Sequence, residues 1–477
     1  MYKFLHILLL CSFAISAHAS DVCASLLSGS KMQHASVGVH IVDVDTRQVI
    51  ASYAADRALV PASVTKIVTA ASVLKCYSDT TRWYTTMGYD GQFSGSTLQG
   101  NSIVKGGIDP SLAHDALSQS RQQLLDSLVG AIQRAGIRRV EGDSIADASS
   151  CAMAVNGSWM LEDIGFYYGA GCYGLNYCSN EYDLYLRADT LGSRPAISGT
   201  SMPLYPIEYR NHLTVGRSDS ALVIAAPYAT ECMLLGTVPQ RSEPFKLRCA
   251  ITDPPRLMAL HFNEALQAAG IEVFGEATTD RMCVESGEPI PVLNTTLYKH
   301  ASSRLSEMLR YMMHKSNNLY AEAMLQYVAL SQNAVAQTEQ ALQIECNMWQ
   351  NEGLDISAME LYDGSGMSKK NTMTPRFIAS LLVDAYHDKQ LGKDFVNLFP
   401  QAGKEGSVRS FFAKNPLPGV LRVKSGSMRG VFCYAGYYTH AGKTYALVLM
   451  SNNHTCKASD VRRSYEKLLR GIWQTKK

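Results

Sequence analysis

Neither sign of charge is in marked excess in this sequence. Its 477 residues carry 44 Lys and Arg against 42 Asp and Glu, a formal +2, so no global field draws the protein to nucleic acid or to an anionic membrane. A long hydrophobic run is missing at the N-terminus: the apolar stretch there, 4 to 15, covers 12 positions, against about 20 for a membrane-crossing helix. The 12 cysteines include no C-x-x-C pair and no Cys/His cluster of the kind that builds a zinc site, so a structural metal is not implied. With 46% hydrophobic and 18% charged residues the chain is too apolar for disorder. At about 150 residues per domain, its length suggests about three domains or one large domain carrying insertions.

The N-terminus has Lys3 and His6, then the apolar run, then Ala17-His18-Ala19. This is the pattern of a signal peptide spanning 1–19, cleaved near Ala19, which sends the mature chain to the periplasm or cell envelope. Cleavage removes Lys3 and Cys11 and leaves 43 basic residues, 42 acidic residues and 11 cysteines. Thiols oxidise outside the cytoplasm, and an odd number leaves at least one unpaired. Cys172 with Cys178, and Cys232 with Cys249, are close enough in sequence for loop staples, but spacing alone leaves the pairing open.

Three short motifs carry chemistry. Ser63-Val64-Thr65-Lys66 puts serine and lysine three apart, on one face of a helix. The same spacing recurs at Ser28, Ser72, Ser102 and Ser464, so spacing alone selects nothing. Context does: Pro61 precedes Ser63, and Ile67, Val68, Ala71 and Leu74 continue a helical apolar stripe. Serine attacks only once a neighbour takes its proton, and lysine can do that only when desolvation or nearby positive charge lowers its pKa. Backbone N–H groups at the helix start can receive an oxyanion. The second motif is Ser316-Asn317-Asn318, ahead of the helical pattern LYAEAMLQYVAL. The third is Lys424-Ser425-Gly426, between strand-like runs. Each alone has a plain structural explanation: a helix cap, another cap, a polar hairpin edge.

In the order S-x-x-K, S-x-N, K-[ST]-G, the set resembles the penicillin-binding proteins and serine β-lactamases, which form an acyl-enzyme on the first serine. The resemblance implies Ser63 as nucleophile and Lys66 as general base. It implies that Ser316 and Asn318 relay protons to the leaving amine and position the substrate amide, and that Lys424 with Ser425 and Gly426 holds the terminal carboxylate. The oxyanion hole would be the backbone N–H groups of Ser63 and Ser427. No cofactor is implied.

From Ser63 to Ser316 is 316 minus 63, or 253, positions, far more than the few tens typical of β-lactamases. A long insertion at this point resembles the D-Ala-D-Ala carboxypeptidase/endopeptidase family of class C low-molecular-mass penicillin-binding proteins. The segments LYDGSGMSKKN (361 to 371) and AGKEGSVRSFF (402 to 412) are similar to segments of that family. So is SWMLEDIGFYYGAG (158 to 171), where the resemblance gives Asp163, with Tyr168 beside it, the task of reading the donor peptide's side-chain amine. Lys369 stands where relatives often carry Arg, and Arg429 where some carry Gln. Asp163 opposite Lys369 or Arg429 would complement the ammonium and carboxylate of a meso-diaminopimelate side chain.

The expected architecture is α+β and multidomain. A β-lactamase/transpeptidase-like catalytic domain, an antiparallel sheet covered by helices, is built from 20–85 and 299–477. An α/β domain from 86–186 and 250–298, and a small β-rich domain from 187–249, are inserted. The C-terminal segment 461 to 477 puts Val461, Tyr465, Leu468, Leu469, Ile472 and Trp473 on one face, which reads as packing on the sheet in preference to a membrane anchor. The function implied is a secreted serine DD-peptidase acting on peptidoglycan stem peptides and cross-links, inhibited covalently by β-lactams. The alternatives are a serine β-lactamase, against which the absence of a Glu-x-x-x-Asn arrangement between Ser316 and Lys424 counts, and a non-catalytic β-lactam or peptidoglycan sensor.

Overall fold

The computed structural model describes residues 32–152 and 155–474. The expected signal peptide, Ala19 and Cys11 lie outside the described residues. The chain divides into two compact units: one of residues up to 78, 309–317 and from 341 onward, the other of 79–308 and 318–340.

In the first unit both ends of the chain build one sheet, as the sequence leads one to expect. Its five strands run in the order Val49–Tyr53, Ser36–Asp43, Lys443–Asn452, Val431–His440, Val420–Met428, each neighbour antiparallel. Two faces are buried, so these strands read as nearly unbroken apolar runs. Side chains alternate across the sheet. Phe432, Tyr434 and Tyr438 join Val461, Tyr465, Leu468, Leu469 and Ile472 in one core cluster, and the Trp473 and Tyr438 rings are 4.4 Å apart. The C-terminal helix Ala458–Gln474 therefore packs its apolar face on the sheet. Tyr437, of opposite parity, donates its hydroxyl to the Leu382 carbonyl (2.7 Å) of the helix Pro375–His387 on the other side. Among the described residues no helix is long and apolar enough to cross a membrane.

A buried acid sits in this unit. Neither carboxylate oxygen of Glu345 has a hydrogen-bond partner among the described residues. Burial pushes its pKa from the ordinary 4.5 up to about 7, opposed only by the Ser72 hydroxyl. That hydroxyl already donates to the Val68 carbonyl and accepts from Trp349 Nε1. Because the folded state holds the proton more tightly than the unfolded chain, stability is full below pH 4.5 and is lost as pH rises to about 7. We expect Glu345→Gln to remove that part of the pH dependence, on the order of 3 kcal/mol from 1.36 kcal/mol per pKa unit. Urea titrations of both proteins at pH 5 and pH 8 check this; equal losses of stability would refute it.

The second unit holds the insertion. A mixed five-stranded sheet runs in the order Ala277–Thr279, Ser144–Asp147, Ser102–Lys105, Tyr84–Tyr89, Thr295–Ala301, beside a four-stranded one. The helices Arg121–Arg134 and Pro254–Ala268 end at Gly136 and Gly270, both left-handed (φ 80° and 77°). Each glycine leads into a short strand, and these two pair in parallel, Glu272 beside Arg139. From Glu181 to Ala250 the chain is mainly β, in three small sheets. The α/β and β-rich parts share one continuous apolar core. The sequence puts 20–85 and 299–340 with the catalytic part, but 79–85, 299–308 and 318–340 cluster with the insertion. The reason is aromatic packing: Tyr327 stacks on Trp83 with centroids 3.6 Å apart, and the Tyr320 hydroxyl lies 2.6 Å from His114 Nδ1. Cys172, Cys178, Cys232 and Cys249 are all thiols, so neither short-range pair is bridged.

Candidate active site

Ser63 sits on a single 3-10 turn, Ala62–Thr65, which feeds the α-helix Lys66–Cys76. The sequence reading started the helix at Ser63 itself. Ala62 adopts a left-handed backbone (φ 48°), a conformation a non-glycine residue holds only when its surroundings impose it. From Lys66 to Leu74 every residue is buried, so the helix is an inner element and its orientation is fixed by packing. Lys66 Nζ lies 3.0 Å from Ser63 Oγ and donates to the Ser365 carbonyl at 2.6 Å. Lys66 itself is wholly buried.

That carbonyl belongs to the segment 361 to 371, which the sequence reading matched to the family without giving Ser365 a role. Asp363, also wholly buried, accepts from the backbone N–H groups of Gly366 (2.8 Å) and Ser368 (2.6 Å) and from Asn371 Nδ2 (2.7 Å). Thr69, one helical turn beyond Lys66, donates its hydroxyl to the Gly364 carbonyl (2.7 Å). The Asp-Gly-Ser-Gly run at 363–366 was the available signal. Its task is local: it turns a carbonyl onto a buried lysine.

Ser316 sits between the helices Leu305–Lys315 and Asn318–Leu330 with a left-handed backbone (φ 57°). Its hydroxyl accepts from Lys424 Nζ at 2.8 Å. Lys424, on the strand Val420–Met428, also donates to the Ser425 carbonyl (2.7 Å) and is wholly buried. Burial first, and the Lys66 charge second, hold its pKa well below 10.5. The strand passes directly against the Ser63 turn: a Cβ at Gly426 would stand 3.1 Å from the Ser63 nitrogen. Ser427, next along, is exposed. Ser425 Oγ lies 2.7 Å from Ser407 Oγ in the segment 402 to 412.

The first unit thus brings together Ser63, Lys66, Ser316, Lys424, Ser425 and Gly426. Lys369 and Arg429 are exposed in the same unit. The second unit brings together Asp163, Tyr168 and Asn318. Tyr168 donates its hydroxyl to Asp163 Oδ1 (3.3 Å), and its carbonyl accepts from Asn318 Nδ2 (2.7 Å). Because a carbonyl can only accept, this contact settles which end of the Asn318 amide carries nitrogen. Burial, then the Asp163 charge, raises the Tyr168 pKa, so its hydroxyl stays a donor.

Chemically, the first unit offers a hydroxyl with a buried amine in hydrogen-bond reach and a second buried amine on a second hydroxyl. Such an arrangement can supply a nucleophile with a proton acceptor and a group able to return a proton. Known proteins resemble this chain over most of its length. Residues 19–471 match the model of the D-Ala-D-Ala carboxypeptidase 3 (S13) family. The chain is 26% identical over 463 residues to D-alanyl-D-alanine carboxypeptidase DacB of Haemophilus influenzae, spanning 94% of this chain and 91% of that one. It is 25% identical over 452 residues to a D-alanyl-D-alanine carboxypeptidase of Actinomadura, spanning 90% and 80%. The crystal structure of penicillin binding protein 4 (DacB) of Haemophilus influenzae superposes with a TM-score of 0.81 at 23% identity over 94% of this chain and 99% of that one. A match that runs through the insertion as well as all three motifs makes the chain a member of the D-Ala-D-Ala carboxypeptidase 3 (S13) family.

Proposed function

We propose that the protein is an exported serine DD-peptidase that removes the terminal D-Ala from peptidoglycan stem peptides and also cleaves D-Ala to meso-diaminopimelate cross-links, through an acyl-enzyme on Ser63. The observation that carries this is the buried Lys66 Nζ, 3.0 Å from Ser63 Oγ. Burial and the neighbouring Lys66 charge disfavour the charged form of Lys424 in the same site. The Ser365 carbonyl takes one Lys66 hydrogen at 2.6 Å, and Ser63 Oγ lies 3.0 Å from the same nitrogen.

The Ser63 proton passes to Lys66 as Oγ attacks the carbonyl of the penultimate D-Ala. The oxyanion forms against the backbone N–H groups of Ser63 and Ser427. Ser316, held by Lys424, delivers a proton to the departing amine, and Asn318 orients the substrate amide. Lys424, Ser425 and Gly426 receive the terminal carboxylate. Water then takes the amine's place and Lys66 serves again as base. Asp163, with Lys369 and Arg429, reads the ammonium and carboxylate of the diaminopimelate side chain. β-Lactams acylate Ser63 by the same steps and inhibit. In domain terms 20–85 and 299–477 form the catalytic part, of which 79–85, 299–308 and 318–340 cluster with the insertion, 86–186 with 250–298 the α/β insert and 187–249 the β-rich insert. The N-terminal apolar run supports export to the periplasm.

The test is to incubate the protein and Ser63→Ala with a stem pentapeptide and a fluorescent penicillin. D-Ala release together with a stable penicilloyl adduct, both lost in Ser63→Ala, is expected. Rapid penicillin turnover would make it a β-lactamase, and labelling without hydrolysis a sensor.

A further inference from the structure

The β-rich insert grips the segment that carries Asp163. Asp163 lies on a one-turn helix, Leu161–Ile164, followed by a 3-10 turn at Tyr167–Gly169. Such short elements make too few internal hydrogen bonds to hold a shape alone. Here the strands hold them. Phe166 pairs with Cys249 across an isolated antiparallel bridge, and the Ala250 N–H donates to the Gly165 carbonyl at 2.9 Å. Behind Gly165 the strand Leu222–Ile224 comes so close that a Cβ would stand 2.1 Å from the Val223 carbonyl oxygen. In front, the Arg248 guanidinium lies 3.5 Å over the Tyr167 ring. Its Nη2 is 2.8 Å from both carboxylate oxygens of Glu181 on the facing strand, which fixes the guanidinium over the ring. Tyr167 in turn meets Tyr168 edge-on at 5.3 Å, and Tyr168 bonds Asp163.

We propose that the β-rich insert is a positioning scaffold for substrate selection, and that Arg248 is the positioning residue that sets the Asp163 loop. This rests on the reading above that Asp163 recognises the side-chain amine of the stem peptide. Without Arg248 the loop keeps its strand contacts but loses its front clamp, and Asp163 moves off the amine. A carboxylate displaced by about 1 Å loses most of its selectivity.

The experiment compares kcat/KM for a stem pentapeptide bearing the side-chain amine with that for one lacking it. Arg248→Met with Glu181→Gln removes the clamp without leaving a half-buried carboxylate unpaired. Tyr167→Leu removes the ring and leaves the Arg248–Glu181 pair intact. In both, the ratio of the two kcat/KM values should fall about ten-fold from its wild-type value. A purely structural role would lower Tm and both rates together, leaving the ratio unchanged, and would overturn the proposal. Asp163→Ala separates the premise. If it keeps the ratio, the reading of Asp163 fails and the scaffold's role fails with it. If it loses the ratio while both other variants keep it, Asp163 stands and the scaffold is overturned.

Discussion

Lys66→Met should slow acylation of Ser63 by about 10³–10⁴-fold, the upper range for loss of a positioned general base. Methionine suits the test because Lys66 is wholly buried inside a buried helix, and Met fills a similar volume without a charge. The fold should survive. What disappears is the only described side-chain amine bonded to Ser63 Oγ, and with it the route for the serine proton. A second effect follows from the charge. Since Lys66 is one of the two causes that depress Lys424, its removal should let Lys424 hold its proton to higher pH. Stopped-flow acylation with a fluorescent penicillin measures the rate. A folded Lys66→Met protein that acylates within ten-fold of wild type would show that Lys66 is not the base.

Gly366→Ala should cost both stability and rate. Gly366 is left-handed (φ 78°), and a Cβ there would stand 1.9 Å from the Ala62 carbonyl oxygen, the residue just before Ser63. The backbone strain alone is about 1–3 kcal/mol, and the clash must be relieved by moving either the Ser63 turn or the loop. Either movement breaks the alignment of the Ser365 carbonyl with Lys66 (2.6 Å). A shift of about 1 Å at a reacting group costs on the order of 10²-fold in rate. We therefore expect kcat to fall by about that factor, with a lower Tm. The effect separates from simple unfolding because Asp363 still caps the loop through Ser368 N–H and Asn371. Unchanged kcat with unchanged Tm would mean that the loop and the serine turn are not coupled.

The sequence by itself determined the family, the order of the three motifs and the place of the added length between the first two. Those depend on residue type and spacing along the chain, which survive without coordinates. It also determined the sheet that joins both chain ends and the side of the C-terminal helix that is buried, since strand alternation and helical periodicity encode which face turns inward. Tertiary structure alone decided the rest. The Ser365 carbonyl is a backbone group, so no side-chain pattern advertises it; its role appears only when residues 63–66 and 363–366 meet. The left-handed backbones of Ala62 and Ser316 are likewise imposed by neighbours against the preference of their own residue types. The segment 318–340 clusters with the insertion because Tyr320 and Tyr327 find their partners at His114 and Trp83, more than 200 positions away. The hold of the β-rich insert on the Asp163 loop is of the same kind. It runs through a carbonyl, an amide and a cation over a ring, contacts between segments far apart in sequence that only the folded chain brings within reach.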